Sequence, residues 1–413
     1  MDLELNKLYF MDCLEGMRGM PDNCVDSIVT DPPYGLKFLG KKWDCDVPSV
    51  EIWKECLRVL KPGGYLLSFA GTRTQHRMAC NIEDAGFEIR DMIAWVYGSG
   101  FPKSLDIGKN VDKLQGNERE VIGDKKLWGH NAGSGAGSFS KNQYEGQIGI
   151  IKIEPLTKGI SEYEGWGTAL KPALEPITVA RKPLSEKTVA ENVLKWGTGG
   201  INVDGCRVEL TKYDHEEYIP KRCGWKDGIN YKQTGTTKKE DNLYKLGFTE
   251  NKKPNQVIKP QGRFPANLIH DGSDEVVGIL DRQSGILTSG GGNKRAKKPS
   301  LFLSEIRHRD GGIYEQNSGS AARFFYCAKA SKSERGKDNN HPTVKPLKLM
   351  RYLVRLVTPP KGIALDPYAG SGTTLLACIS EGMNFVGFEN VKDSFKIANK
   401  RIESHQIQLQ LWI

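Results

Sequence analysis

Apolar positions alternate between strand-like and helix-like spacing through the first hundred residues. Val25–Thr30 is a short apolar run that reads as a buried strand delivering Asp31 at its carboxyl end. Ile52, Trp53, Cys56, Leu57 and Leu60 fall on one helical face, and Pro62-Gly63-Gly64 predicts its stop. A strand over 65–70, a helix over 73–85 and a strand over 87–97 follow by the same criteria. The pattern then breaks. Residues 103–167 are glycine-rich and weakly periodic, and they predict a loop-rich surface insertion. Residues 168–184 carry a returning strand, 174–181, suited to pairing with 87–97.

Periodicity is poor from 185 to 337 and resumes at Pro346, a favourable first helical residue. Leu349, Met350, Leu353, Val354 and Val357 follow at helical spacing. A strand ending at Asp366, a helix from Thr373, a strand over 384–389 and a last helix over 392–404 complete the chain. Strand–helix alternation at both ends, but not in the middle, implies an α/β fold. Its doubly wound, mostly parallel sheet would be assembled from residues 1–102, 168–184 and 338–413. Loops at the carboxyl edge of such a sheet bind ligands.

Two of those loops carry chemistry. Asp31-Pro32-Pro33-Tyr34-Gly35 follows the first apolar strand. An exocyclic amino nitrogen on a nucleobase is a poor nucleophile, because its lone pair is delocalised into the ring. Two acceptors aimed at its two N–H bonds favour the pyramidal form that can attack. Asp31 offers a carboxylate, and Pro32 and Pro33 a stiff backbone that presents a carbonyl without a competing N–H. Tyr34 offers a flat face for stacking a base, and Gly35 permits close backbone approach. A plain turn after a buried strand uses the same residue types.

The second loop lies about 330 residues later. Asp366 ends a strand, and Tyr368-Ala369-Gly370-Ser371-Gly372 leads to a helix from Thr373, so backbone N–H groups can face a ligand. Glu389 ends the next strand, at a spacing suited to a carboxylate that accepts from both hydroxyls of a ribose. The alternative for Glu389 is a solvated acid at a strand end. No GxGxxG stands here, which disfavours a dinucleotide.

Composition narrows the partners. Residues 221–332 hold 21 Lys and Arg against 11 Asp and Glu, a net of +10, so the rest of the chain sums to −1 within the formal charge of +9. A basic middle between near-neutral ends is the footprint of a polyanion-binding region, although a solvated lysine-rich surface has the same composition. The nine cysteines are scattered without a CxxC pair, which predicts free thiols in a reducing cytoplasm and no metal site. No apolar run predicts a membrane span, and the first residues predict no secretory signal. No proline precedes a cysteine, so the signature of carbon-5 cytosine methylation is missing.

Asp31-Pro32-Pro33-Tyr34, His341-Pro342-Thr343-Val344-Lys345-Pro346 and Tyr368-Ala369-Gly370-Ser371-Gly372 together resemble the permuted, β-type DNA amino-methyltransferases. The resemblance covers roughly 5–100 and 338–400. The middle is similar, less specifically, to phage and prophage methyltransferases. It implies a circularly permuted Rossmann-like methyltransferase fold, S-adenosyl-L-methionine as cofactor and double-stranded DNA as substrate. In that family an aspartate at the head of the motif is commoner in adenine-N6 enzymes. Cytosine-N4 enzymes more often begin with Ser, and relatives acting on RNA or protein with Asn. By carry-over, Thr343 and Lys345 hold the methionine end of the cofactor and Asp12 lies near its adenine; Asp12 is equally suited to capping a helix over 13–19.

The expected cofactor set is therefore Asp12, Thr343, Lys345, Asp366, Tyr368, Ala369, Gly370, Gly372, Thr373 and Glu389. Residues 185–337 are expected to carry target recognition, with Lys294, Arg295, Lys297 and Lys298 on a basic loop that tracks phosphates. Arg222, Lys226, Arg263, Arg307 and Arg309 are further phosphate or base-edge candidates. The alternatives are N4-cytosine methylation by the same site and an inactive DNA-binding protein. A homodimer is left open, and the chain carries no nuclease motif, so restriction would require another protein.

Overall fold

The structure, a computed structural model, describes residues 4–36, 44–98, 100, 104–127, 152–209, 225–226, 229–230, 262–283, 325–328 and 344–410. In chain order β1 (Lys7–Phe10) leads to α1 (Cys13–Arg18), whose amino end is capped by the Asp12 carboxylate accepting from Leu14 N and Glu15 N. Then come β2 (Val25–Thr30), α2 (Val50–Val59), β3 (Leu60–Phe69), α3 (Gln75–Asp84) and β4 (Glu88–Val96). An excursion contains α4 (Ile107–Gln115), β5 (Glu120–Leu127) and β6 (Lys152–Lys158), after which β7 (Leu174–Arg181) and α5 (Val189–Trp196) follow. Further along are β8 (Trp225–Lys226), β9 (Ile229–Asn230), β10 (Leu268–His270), α6 (Asp274–Gln283) and β11 (Tyr326–Cys327). The carboxyl-terminal part is α7 (Leu347–Val357), β12 (Ile363–Asp366), α8 (Thr373–Ser380), β13 (Asn384–Glu389) and α9 (Lys392–Gln410).

Two compact units divide these elements, residues 1–201 with 330–413 and residues 202–329. In the first, the strand order is β1-β13-β12-β2-β3-β7-β4. Every pairing among the first five is parallel, and β7 runs antiparallel to both β3 and β4. The fold is thus an α/β, Rossmann-like, mostly parallel sheet into which both chain ends are woven. The expected pairing of 174–181 with 87–97 is present, and β7 also pairs β3.

One apolar layer joins α1, α2 and α3 to the sheet. Met17, Trp53, Cys56, Met78 and Ile82 are fully buried there with Ile28, Leu66, Leu365 and Phe388. Each such large side chain contributes about 1.5–3 kcal/mol when removed from water. Ser27 precedes Ile28 and faces the other side of the sheet; its hydroxyl lies 2.7 Å from Thr358 Oγ1, at the end of α7. The regular face expected from Leu349, Met350, Leu353, Val354 and Val357 is buried throughout.

One expectation fails. Pro62-Gly63-Gly64 does not end a helix; α2 stops at Val59, and β3 begins at Leu60 and runs through the tripeptide. The Pro62 carbonyl accepts from Asn192 Nδ2 and Thr198 Oγ1 at 2.8 and 2.6 Å, so a distant segment satisfies it. Gly63 has φ +79°, and a Cβ there would lie 2.4 Å from Asn192 Nδ2. The excursion is also more regular than its composition suggested. Asp106 caps α4 by accepting from Lys109 N, Gly116 ends it at φ +73°, and β5 pairs β6 antiparallel. Arg119 then ties the buried Asp112 to Glu164.

In the second unit β8 pairs β9 antiparallel, β10 pairs β11 parallel, and Val208 bridges Arg263. The first unit continues past the expected boundary at 185 and contains α5, whose Thr188 and Glu191 form a reciprocal cap. Among the described residues no helix is long and apolar enough to cross a membrane, and no group of His, Cys, Asp or Glu forms a metal site.

Candidate active site

β2, β12 and β13 are parallel, so Asp31, Asp366 and Glu389 all arrive at one edge of the sheet. The loop after β2 is held by a single carboxylate. Buried Asp44 accepts from the N–H groups of Tyr34 and Gly35 through Oδ1, at 2.8 and 2.9 Å, and of Leu36 through Oδ2, at 3.2 Å. Thr74 Oγ1 donates to the Tyr34 carbonyl at 2.6 Å. Gly35 sits at φ +67°, where a Cβ would crowd the backbone of Asp46 and Val47 at 3.0–3.1 Å. The loop is therefore fixed before any ligand arrives.

Both oxygens of the Asp31 carboxylate have a donor. Its Oδ1 accepts from the Tyr34 hydroxyl at 2.7 Å, and its Oδ2 from Lys345 Nζ at 2.8 Å. Lys345 also reaches Glu175 Oε2 at 3.1 Å and Tyr34 Oη at 3.1 Å. Glu175 Oε2 lies 3.1 Å from the same hydroxyl. Burial pushes the Lys345 ammonium down, but Asp31 and Glu175 outweigh it and the net shift is upward. Burial, then the two carboxylates, push the Tyr34 hydroxyl well up, so it stays protonated.

The second loop is equally well braced. Asp366 Oδ1 accepts from Thr30 Oγ1 at 2.7 Å and Tyr368 N at 3.1 Å, which joins the ends of β2 and β12. Its carboxyl is pushed up to about 6, first by burial. Glu389 accepts from Gly370 N at 2.8 Å and Val391 N at 2.6 Å, and burial raises its carboxyl. Arg401 of α9 donates to the Ser371 carbonyl, to Ser371 Oγ at 2.9 Å and to Thr373 Oγ1 at 3.2 Å. Gly372, at φ +82°, starts α8 directly beneath Ala398.

Both loops open into one cleft of about 1390 Å³ in the first unit. That exceeds the roughly 300–1,000 Å³ of a pocket for one small molecule. Asp31, Pro32, Pro33, Tyr34, Lys345, Asp366, Tyr368, Ala369, Gly370, Thr373 and Glu389 line it. Gly372 and Asp12 are not among the lining residues, and Asp12 acts as the cap of α1. Thr343, Lys294, Arg295, Lys297, Lys298, Arg222, Arg307 and Arg309 lie outside the described residues, as does the side chain of Lys226.

Residues 25–400 match the DNA methylase family of N6/N4 methyltransferases. The chain belongs to that family. It is 47% identical over 62 residues to the type II methyltransferase M.HindIII of Haemophilus influenzae, covering 15% of this chain and 20% of that protein. It is 38% identical over 64 residues to the DNA adenine methyltransferase YhdJ of Escherichia coli, covering 16% and 22%. The chain thus spans about a fifth of the length of these relatives. Among solved structures it is similar to TTHA0409 of Thermus thermophilus, at 14% identity and a TM-score of 0.40 over 97% of this chain and 95% of that one.

Several site residues of this family member were not legible beforehand. Glu175 follows Leu174 at the start of β7, and only the antiparallel course of that strand brings its first residues to the carboxyl edge. Trp95 and Tyr97, with ring centroids 5.0 Å apart, line the same cleft from the end of β4. Asp44 acts through backbone N–H groups, and Arg401 through the Ser371 carbonyl and the hydroxyls of Ser371 and Thr373, roles no residue pattern announces.

Proposed function

We propose that this chain transfers a methyl group from S-adenosyl-L-methionine to the N6 amino group of an adenine flipped out of double-stranded DNA at a specific site. The observation that carries the reading is the meeting, in one cleft, of the Asp31–Tyr34 loop with the Gly370 turn and Glu389. The donor set suits the cofactor. Glu389 retains lone pairs for a ribose diol while two backbone N–H groups hold it. α8 begins at Thr373 behind the Gly372 cap, and its amino end favours an anionic group. When bound, the cofactor supplies an electrophilic methyl carried on a sulfonium.

In this reading Tyr34 stacks the flipped base, with the Trp95–Tyr97 pair lining the same cleft. Asp31 and the Pro32 carbonyl accept from the two N–H bonds of the target amine. The nitrogen lone pair then forms the new N–CH3 bond as the S–CH3 bond breaks, and its surplus proton leaves to the Asp31 carboxylate. The aspartate at the head of the motif favours adenine. The basic stretch from 221 to 332 supplies sequence-independent affinity for DNA. Incubating duplex DNA with labelled cofactor and identifying the methylated nucleoside by mass spectrometry tests this directly. N6-methyladenine is expected; N4-methylcytosine would move the target to the other base, and no product would refute methyl transfer.

A further inference from the structure

Lys345 is a buried ammonium, its side chain 8% exposed, with three N–H bonds and three oxygen partners. Its Nζ also lies 4.9 Å from the Phe69 ring centroid and 5.4 Å from that of Tyr34, so both rings face the cation. A pair of Lys345 with Asp31 alone would satisfy the electrostatics of burial. The structure adds a second carboxylate, Glu175, against the same ammonium and the same Tyr34 hydroxyl. With Tyr34 neutral, the cluster of Asp31, Glu175 and Lys345 carries a net charge of −1.

That balance matters for amino methylation. Positive charge passes from the incoming methyl donor to the attacking nitrogen, so an acceptor beside that nitrogen is effective while it stays electron-rich. A carboxylate neutralised by a dedicated lysine is a weaker acceptor than one whose lysine is shared. The Tyr34 hydroxyl has one proton for two carboxylates, and Lys345 is needed to keep them from repelling one another. We propose that Glu175 is a positioning residue which, by sharing Lys345 and the Tyr34 hydroxyl with Asp31, leaves the Asp31 carboxylate electron-rich and holds it aimed at the target amine. The inference rests on the amino-methylation reading. It also moves Lys345 from the methionine end of the cofactor to the base-binding side of the cleft.

Charge compensation tests it in the full chain. The variants are Glu175→Gln, which brings the cluster to neutrality, Lys345→Met, which brings it to −2, and the double variant, which restores −1. Single-turnover methyl transfer to duplex DNA is measured at saturating cofactor, together with the cofactor dissociation constant. Each single variant should lose transfer while holding cofactor within about twofold of wild type. The double variant should then transfer faster than Glu175→Gln alone, by roughly two- to a hundredfold, the range of coupling between groups in contact. Losses that multiply in the double variant would overturn the inference, as would a Glu175→Gln rate equal to wild type. A Lys345→Met variant with sharply weakened cofactor binding would return Lys345 to the cofactor and overturn it too. Glu175→Asp, which keeps the charge, should retain more transfer than Glu175→Gln even where packing is disturbed; the reverse order would contradict a charge effect. A wild-type chain that methylates nothing refutes the parent reading, whereas an active wild type with uncompensated losses refutes this inference alone.

Discussion

Lys345 Nζ lies 2.8 Å from Asp31 Oδ2, although 314 residues separate them in the chain. The contact joins the loop after β2 to the residue two positions before α7, and so fastens the two ends of the chain across the cleft. Burying both charges is tolerable because each is paired. Each oxygen of Asp31 has a donor before a base is bound. One lone pair on each oxygen is left to accept from a target amine.

Glu389→Ala should weaken cofactor binding by about 1.5–3 kcal/mol, the contribution of charge-assisted hydrogen bonds. It also removes the acceptor for Gly370 N and Val391 N. Glu389→Gln keeps one acceptor oxygen and should lose less. Titration of cofactor into both variants checks the order, and an unchanged dissociation constant in Glu389→Ala would return Glu389 to a purely structural role.

Asp366 gives the fold a pH dependence. Its carboxyl is raised to about 6 when folded, against roughly 3.9 in an unfolded chain. A raised carboxyl favours the folded state below the unfolded value, and that advantage is lost as pH climbs through about 6. Asp366→Asn keeps an oxygen for Thr30 and Tyr368 but cannot ionise. Its stability relative to wild type should therefore rise between pH 4 and 7, by on the order of 1–3 kcal/mol. Denaturant midpoints across that range measure it; a constant difference would contradict the assignment.

Much of this architecture was legible in the residues themselves. The strands Val25–Thr30 and Asn384–Glu389 fall where the apolar runs place them, because a strand buried on both faces reads as a continuous run. Asp31, Asp366 and Glu389 reach one edge because strand ends in a parallel sheet share a side. Pro62-Gly63-Gly64 misled because propensity describes an isolated segment, whereas Asn192 and Thr198 complete the hydrogen bonds of Pro62 from 130 and 136 residues away. Glu175 was invisible for a related reason: the direction of β7 is set by pairing, not by its own residues. Lys345 was singled out by resemblance, but its partners could come only from the assembled cleft.

Asp44→Ala should loosen the motif loop, since the N–H groups of Tyr34, Gly35 and Leu36 would lose their acceptor. Stability should fall by about 1–3 kcal/mol, as for buried donors left unsatisfied, and methyl transfer should fall further than cofactor affinity. Thermal unfolding with parallel single-turnover assays checks both. Unchanged transfer would mean that the loop is held from elsewhere.

Replacing Lys294, Arg295, Lys297 and Lys298 together by Ala should flatten the salt dependence of DNA binding without changing the methylated sequence. Each phosphate contact contributes roughly −0.9 to the slope of log affinity against log salt. Binding isotherms at several salt concentrations give the slope. A changed target with an unchanged slope would mean that the cluster reads bases.

Asp31→Ala tests the central claim most directly, because it removes the acceptor for the amine and leaves the Gly370 turn and Glu389 in place. Cofactor affinity and labelled methyl transfer to duplex DNA are measured for wild type and variant, with the product nucleoside identified by mass spectrometry. The expected result is N6-methyladenine from the wild type, and from Asp31→Ala no detectable product with cofactor affinity retained. Near wild-type turnover by the variant would contradict the proposed role of Asp31.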